Sequence, residues 1–195
     1  MLSLNTPIKQ TAIWLCIIFL VGCQTSSDIT QNGKIESRGT QIYWRGQMIV
    51  QTGIELALSE ATIEALHSGV PLTFTVDLRL GKRYGFWARE IDTYSYHWTI
   101  RYLPLSEHYA LEDPTTGQTI DYPRLRTLLT GIRLPAIYAT DVNPVDIDSD
   151  NYQLQVRCRL NRLRLPPPLR LPAMFASDWR LSDKWRTILV PLPAS

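Results

Sequence analysis

Three aspartates at alternate positions form the most metal-like pattern in this sequence. Asp146, Asp148 and Asp150 precede a strand-like segment. Calcium loops use such spacing because alternate side chains converge on one hard cation. The pattern departs from an EF-hand, since Asn151 stands where the turn glycine belongs and Arg157 where the bidentate glutamate belongs. A calcium-dependent binding module that uses Asp146–Asp150 is therefore an alternative to a solvated acidic turn.

An aromatic segment beside two basic residues is a candidate contact surface. Its partner-contact candidates are Lys82, Arg83, Phe86 and Trp87. They lie beyond a regularly alternating strand, so we expect the aromatic rings to be partly exposed. Aromatic and arginine side chains dominate the binding energy of protein interfaces, so the segment would suit a protein partner or a membrane interface. The alternative is that the rings are buried and the basic residues pair within the chain.

A basic, proline-rich strip near the C-terminus is the second candidate surface. Arg162, Arg164 and Arg170 flank the consecutive prolines Pro166–Pro168. Proline fixes φ and has no N–H to donate, so the segment is predicted to adopt polyproline II geometry. It is either a docking strip or an edge connection that blocks sheet-to-sheet aggregation. We expect its arginines to form one partner surface with the aromatic segment.

The sequence carries no recognisable catalytic signature. The three histidines, His67, His97 and His108, are not spaced as metal ligands, and neither G-x-S-x-G nor C-x-x-C occurs. His97 is predicted to lie on the polar side of its strand. The chain is interpreted as a non-enzyme without a cofactor. An envelope hydrolase with an unrecognised carboxylate site stays open, with carboxylates drawn from Glu90, Asp92, Glu107 and Asp113.

The N-terminus resembles a bacterial lipoprotein signal. An apolar run ends in Leu20-Val21-Gly22-Cys23, after a short polar start that contains Lys9. Residues 1–22 are therefore predicted to be a signal peptide, and Cys23 the lipidated first residue of the mature protein. Because Gln24 is not aspartate, we expect an outer-membrane anchor that faces the periplasm. A permanent membrane span and a cleaved signal without lipid are the alternatives.

The distribution of charge along the chain narrows the possible partners. Residues 23–150 carry 11 Lys and Arg against 16 Asp and Glu, whereas residues 151–195 carry 8 against 2. This asymmetry favours either a surface for an acidic partner or anionic lipid, or pairing between the two halves. Nucleic acid is excluded as a partner because the mature chain is nearly neutral.

Cys158 lies on the apolar side of an alternating strand and is predicted to be a buried hydrophobe.

The elements that position these residues are mostly strands. Alternation is strongest in residues 72–80, 94–102 and 152–160. Short helices are predicted after Ser59, as N-cap, and after Pro123. The fold class is therefore mainly β, an antiparallel β-sandwich of about seven strands with two short helices. Further strands are expected within residues 41–58, 109–111, 119–120 and 134–138, and a bulge near residues 161–162.

Polar residues 23–40 are expected to form a flexible tether, and residues 41–195 a single β-sandwich domain. Across roughly residues 40–190, the order of several segments resembles the proteobacterial family known as domain of unknown function 4390. The resemblance is carried by Ala65–Asp77, Tyr84–Trp87, Tyr102–Leu111, Asn161–Pro167 and Ser177–Trp185.

The resemblance implies an envelope protein and supplies no catalytic residue. This chain departs from many members in having a lipobox. The expected function is therefore a lipid-anchored, periplasm-facing binding module, whose partners are the membrane, through its lipid, and an envelope protein.

Overall fold

The computed structural model describes residues 33–113, 116–133 and 136–193. This part of the chain contains two antiparallel sheets. The strands of this described part are β1 (Lys34–Arg45), β2 (Gln47–Ala57), β3 (Leu72–Tyr84), β4 (Trp87–Leu103), β5 (His108–Glu112), β6 (Thr119–Tyr122), β7 (Ala136–Ala139), β8 (Tyr152–Leu160) and β9 (Arg186–Leu189). Their order is β1-β2-β7 in one sheet and β6-β5-β4-β3-β8-β9 in the other. Both sheets contribute to one hydrophobic core, so the predicted mainly β sandwich is confirmed.

β3 lies at the centre of the larger sheet, between β4 and β8. Its inward side chains are fully buried, as the alternation predicts, and they are Leu72, Phe74, Val76 and Leu78. The Phe74 ring stacks on Trp98 of β4, with ring centroids 4.4 Å apart. A stacked aromatic pair adds to the free energy gained by burial alone, so this contact ties β3 firmly to β4.

The outer face of the larger sheet is polar but not open to water throughout. Thr73, Thr75 and Thr99 are buried there, and the hydroxyls of Thr73 and Thr99 lie 3.1 Å apart. His97 is on this polar side, as predicted, with Nδ1 3.0 Å from the Thr75 hydroxyl. Asp77 is also buried on this face, where charged side chains from β8 cover it.

The predicted tether is wrong for residues 34–40, because β1 begins at Lys34. Ile35 and Ser37 are buried in this strand, and both the backbone N–H and the hydroxyl of Ser37 donate to Asp183 Oδ2 at 2.8 Å. Strand pairing and this long-range contact therefore make residues 34–40 part of the fold. The strand character expected within residues 41–58 belongs to two strands that meet at Gly46, whose φ of +75° allows the tight turn between β1 and β2.

Three α-helices flank the sheets of the described chain, namely α1 (Glu60–His67), α2 (Leu125–Ile132) and α3 (Pro167–Phe175). Ser59 caps α1 as predicted, since its Oγ accepts the Thr62 N–H at 3.3 Å. The helix expected after Pro123 is α2. The third helix, α3, was not predicted.

The chain leaves β8 without the bulge expected near residues 161–162. A 3-10 turn, Arg162–Arg164, follows the strand instead and redirects the backbone. The change in apolar phase therefore marks the end of β8 rather than a slip within it. The sequence pattern also missed β9, which is only four residues long and pairs with the first half of β8.

Candidate binding surfaces

The hairpin between β3 and β4 ends in an aromatic tip, formed by Tyr84, Phe86 and Trp87. Gly85 starts its two-residue turn with a φ of +64°, which suits the first position of a type II′ turn. The Tyr84 and Trp87 rings stack across the hairpin, with centroids 4.8 Å apart. The Phe86 side chain is 102% exposed. The expected exposure of this segment is therefore confirmed.

The two basic residues beside the aromatic tip differ in their surroundings. Lys82 Nζ donates to Asp148 Oδ1 at 2.8 Å and to the Tyr152 hydroxyl at 3.3 Å. The hydrogen bond to Asp148 raises the pKa of Lys82 above its ordinary value. Arg83 is exposed, and its backbone N–H donates to Asn151 O at 2.7 Å. Lys82 thus links the hairpin to the loop that carries Asp148, while the exposed Arg83 side chain places a positive charge beside the aromatic tip.

The three alternating aspartates do not converge on one point. Asp146 Oδ2 accepts the Asn143 N–H at 2.9 Å, and Asp148 is engaged by Lys82. Within the described residues, no group of three or more His, Cys, Asp or Glu side chains is placed to hold a metal ion. Instead, Asp146 caps a 3-10 turn and Asp148 forms an ion pair with Lys82.

The basic strip is not polyproline II along its length. After the Arg162–Arg164 turn, residues from Pro167 onward form α3, because proline at the first helical positions loses no intrahelical hydrogen bond. Arg162 Nη1 donates to Ala173 O and Met174 O, both at 3.2 Å. Arg170 Nε donates to Leu165 O at 2.8 Å. Arg164 is exposed.

The aromatic tip and the basic strip lie at opposite ends of the larger sheet. Lys82 pairs with Tyr152 at the start of β8, whereas Phe74 pairs with Leu160 at its end. At about 3.4 Å per residue, these two pairs are about 27 Å apart. The two segments therefore do not form one contiguous patch, and each is a separate candidate surface.

An arginine cleft of about 500 Å³ lies beside the basic strip. Its arginines, contributed by β8 and the segments after it, are Arg157, Arg159, Arg162 and Arg180. The described residues that line it include no Asp or Glu. The apolar residues of its lining include Leu163, Met174 and Trp179. This cleft thus combines a concentrated positive charge with an apolar wall.

Asp77 holds two arginines of the cleft in place from below. Its Oδ2 accepts from Arg159 Nε at 2.8 Å and from Arg157 Nη2 at 3.0 Å. Burial raises the pKa of the Asp77 carboxyl, but hydrogen bonds from Arg159, Arg157 and Ser95 outweigh burial, and the pKa lies below its ordinary value. Asp77 therefore stays ionised, and its single charge leaves the cleft strongly positive.

Trp185, in the segment before β9, contacts Arg157 of the arginine cleft and also Arg79. The guanidinium carbons of Arg79 and Arg157 each lie 4.3 Å from the centroid of its ring. Cation–π contacts of this kind orient guanidinium groups. Arg157 Nε is buried and has no hydrogen-bond partner among the described residues. Neither Trp185 nor Asp77 was singled out from the sequence, because nothing in it shows that they meet residues of β8.

A second cavity, of about 270 Å³, opens between the two sheets. Its lining is mainly apolar and includes Trp98, Tyr138, Leu111 and Ile132. Trp98 Nε1 is buried without a hydrogen-bond partner among the described residues. Of the four carboxylates named from the sequence, Asp113 lines this cavity, whereas Glu90 and Asp92 lie on the exposed part of β4.

The structure describes Cys158 but not Cys23. Cys158 is free and buried, and burial raises the pKa of its thiol, as expected for a buried hydrophobe. Cys23 lies outside the described residues, so its lipidation stays a prediction. Among the described helices, none has the length and apolar character needed to cross a membrane.

Comparison with known proteins identifies a family without a described activity. Neither the curated proteins nor the solved structures contain a match to this chain. One family model, described as "Domain of unknown function (DUF4390)", matches residues 31–189. The match spans both sheets and both candidate surfaces, and it covers most of the 195 residues. The chain therefore belongs to the DUF4390 family.

Proposed function

We propose that this protein is a non-catalytic binding module, anchored by lipid at Cys23 and facing the periplasm, that contacts an envelope protein through its aromatic tip. The observation that carries the proposal is the exposure of Phe86, at 102%, on a hairpin that extends past the start of β8 at Tyr152. A large aromatic side chain fully in water contributes no burial energy to the fold, whereas it contributes strongly to an interface.

The geometry of the hairpin supports a contact role. The stacked Tyr84 and Trp87 rings hold the two strand ends in register, so the Phe86 side chain is presented on a rigid turn. Presenting a side chain on a rigid element lowers the entropy lost on binding. Arg83 adds a positive charge beside the tip, which favours a partner surface with acidic residues.

The test separates partner loss from unfolding. Phe86→Ser removes the exposed ring without breaking the Tyr84–Trp87 stack, and the matched control is Leu105→Ser, since Leu105 is 105% exposed. Cells that produce each full-length variant are treated with a chemical crosslinker, and adducts are compared. We expect Phe86→Ser to melt within about 2 °C of the original chain, since exposed substitutions change stability little.

The crosslinked protein partner should be lost in Phe86→Ser and retained in Leu105→Ser. Retention of the same adduct in both variants would contradict the proposed contact. A lower melting temperature for Phe86→Ser would show instead that the ring stabilises the fold. Trp87→Ala is a second, weaker probe, because it also removes the stack with Tyr84.

A further inference from the structure

We propose that the arginine cleft binds the phosphate of an anionic phospholipid headgroup at a bilayer surface. Arg157, Arg159, Arg162 and Arg180 line the cleft, and no described Asp or Glu does. Guanidinium groups bind phosphate through parallel hydrogen bonds that combine charge and geometry. The cleft therefore has the chemistry of a phosphate site.

The arginines retain donors for a ligand. Within the described residues, hydrogen bonds engage only Nη1 of Arg162 and only Nη2 of Arg180. Each guanidinium carries five N–H donors, so most donors of the cleft are not used by the fold. An anion with several acceptor oxygens would satisfy them.

An apolar patch beside the cleft distinguishes a lipid from a small anion. Leu171, Met174 and Phe175 share one face of α3, since they lie three and four residues apart. Phe175 is 77% exposed, Leu171 68% and the neighbouring Leu163 63%. Exposed apolar side chains next to arginines are typical of surfaces that lie in the headgroup region of a bilayer.

The position of the chain start favours the bilayer as the source of this lipid. Gly33 and Lys34 line a hollow together with Arg180 and Ser182, which also line the arginine cleft. Residues 24–32 separate Cys23 from Gly33, and a chain of this length spans at most about 35 Å. A lipid at Cys23 would therefore keep the cleft close to the bilayer.

The test uses the full chain in dodecyl maltoside micelles and does not depend on acylation of Cys23. Dihexanoyl-phosphatidylglycerol, dihexanoyl-phosphatidylcholine and inorganic phosphate are titrated separately by calorimetry. We expect saturable binding of phosphatidylglycerol and at least about tenfold weaker binding of the other two, because only the first combines a net negative charge with acyl chains.

Variants then locate the site. Arg162→Gln with Arg180→Gln should weaken phosphatidylglycerol binding about tenfold or more, as loss of charge-assisted hydrogen bonds predicts. The matched control, Arg124→Gln with Arg126→Gln, removes the same charge from exposed positions around the start of α2 and should change nothing. If the first pair unfolds the protein, Arg180→Gln alone is measured, and an unchanged affinity would overturn the proposal.

Phe175→Ser separates a lipid site from a free-anion site. We expect it to weaken phosphatidylglycerol binding about tenfold, since it removes exposed apolar area beside the cleft. Equal binding of phosphate and phosphatidylglycerol, with no effect of Phe175→Ser, would overturn the lipid assignment and indicate a small-anion site. Equal binding of phosphatidylglycerol and phosphatidylcholine would overturn the phosphate contact.

Discussion

At the scale of single residues, Asp77 positions two arginines of the cleft. It is a buried carboxylate that accepts from two arginines and from Ser95 Oγ at 2.9 Å. Asp77→Asn would leave both guanidinium groups without their counter-charge, and we expect a loss of about 3–5 kcal/mol in the free energy of unfolding. Urea unfolding at neutral pH measures this loss.

The control is Glu90→Gln. Glu90 pairs with Arg79 at 3.5 Å, but both side chains are exposed, so we expect a change below about 1 kcal/mol. An equally small effect of both substitutions would contradict the structural role of Asp77.

The same carboxylate predicts how stability depends on pH. The folded pKa of Asp77 lies below its unfolded value, since the hydrogen bonds from Arg159, Arg157 and Ser95 outweigh burial. The ionised Asp77 carboxylate therefore contributes to the free energy of unfolding above about pH 4, the unfolded pKa. This contribution is lost as the pH falls through the folded pKa. Urea unfolding between pH 6 and pH 2.5 should show that acid lowers the free energy of unfolding less in Asp77→Asn than in the original protein. An identical loss in both proteins would contradict the assignment.

Sequence reasoning reached some of these residues and missed others. The exposure of Phe86 was predicted because the residue lies beyond a regular alternation, which is local information. The contact of Asp77 with Arg157 joins residues 80 positions apart, and only the pairing of β3 with β8 brings them together. No local pattern distinguishes this aspartate from a solvated one.

At the scale of elements, the Phe74–Trp98 stack joins the two central strands. Trp98→Ala should cost about 3–5 kcal/mol in the free energy of unfolding, as loss of a large buried aromatic does. Trp98→Phe should cost much less, since it keeps a ring over Phe74 and removes the unpaired indole N–H. Thermal unfolding monitored by circular dichroism compares the two.

The matched polar position on β4 is Thr93, which is exposed. Thr93→Ala should change stability by less than about 0.5 kcal/mol. Thr99 is a poor control, because it is buried and its hydroxyl lies within hydrogen-bond distance of Thr73. Equal costs for Trp98→Ala and Thr93→Ala would contradict the assignment of inner and outer faces.

The elements differ in how much the sequence revealed. β8 has the bounds predicted from its alternation, and Ser59 caps α1 as its position before an apolar segment indicates. The α3 helix was missed because three consecutive prolines favour polyproline II, while proline is also compatible with the first turn of a helix. Leu165, before α3, and Ala173, within it, are both buried, so packing against the rest of the fold stabilises the helical conformation.

At the scale of the whole molecule, the two candidate surfaces lie at opposite ends of the larger sheet. The start of the described chain lies near the arginine cleft, and the aromatic tip lies beyond the other end of β8. A lipid anchor at Cys23 would raise the local concentration of the tip around membrane-associated proteins.

The anchor itself gives a whole-molecule prediction. Cys23→Ser removes the acylation site, and we expect the protein to remain unprocessed or to leave the outer-membrane fraction, since multiple acyl chains hold a protein firmly at a bilayer. Cell fractionation with immunoblotting measures the change, and Cys158→Ser at the buried thiol is the control for loss of a cysteine. Unchanged processing and membrane association would contradict the anchor.

The central claim, that the aromatic tip contacts a protein, is tested most directly by photocrosslinking in intact cells. A benzoylphenylalanine is placed singly at Phe86, Leu105 or Phe175, all strongly exposed in the structure. The account predicts a discrete protein adduct at Phe86, none at Leu105 and lipid rather than protein adducts at Phe175. Phe86 adducts no more abundant than those at Leu105, or adducts with lipid alone, would contradict it.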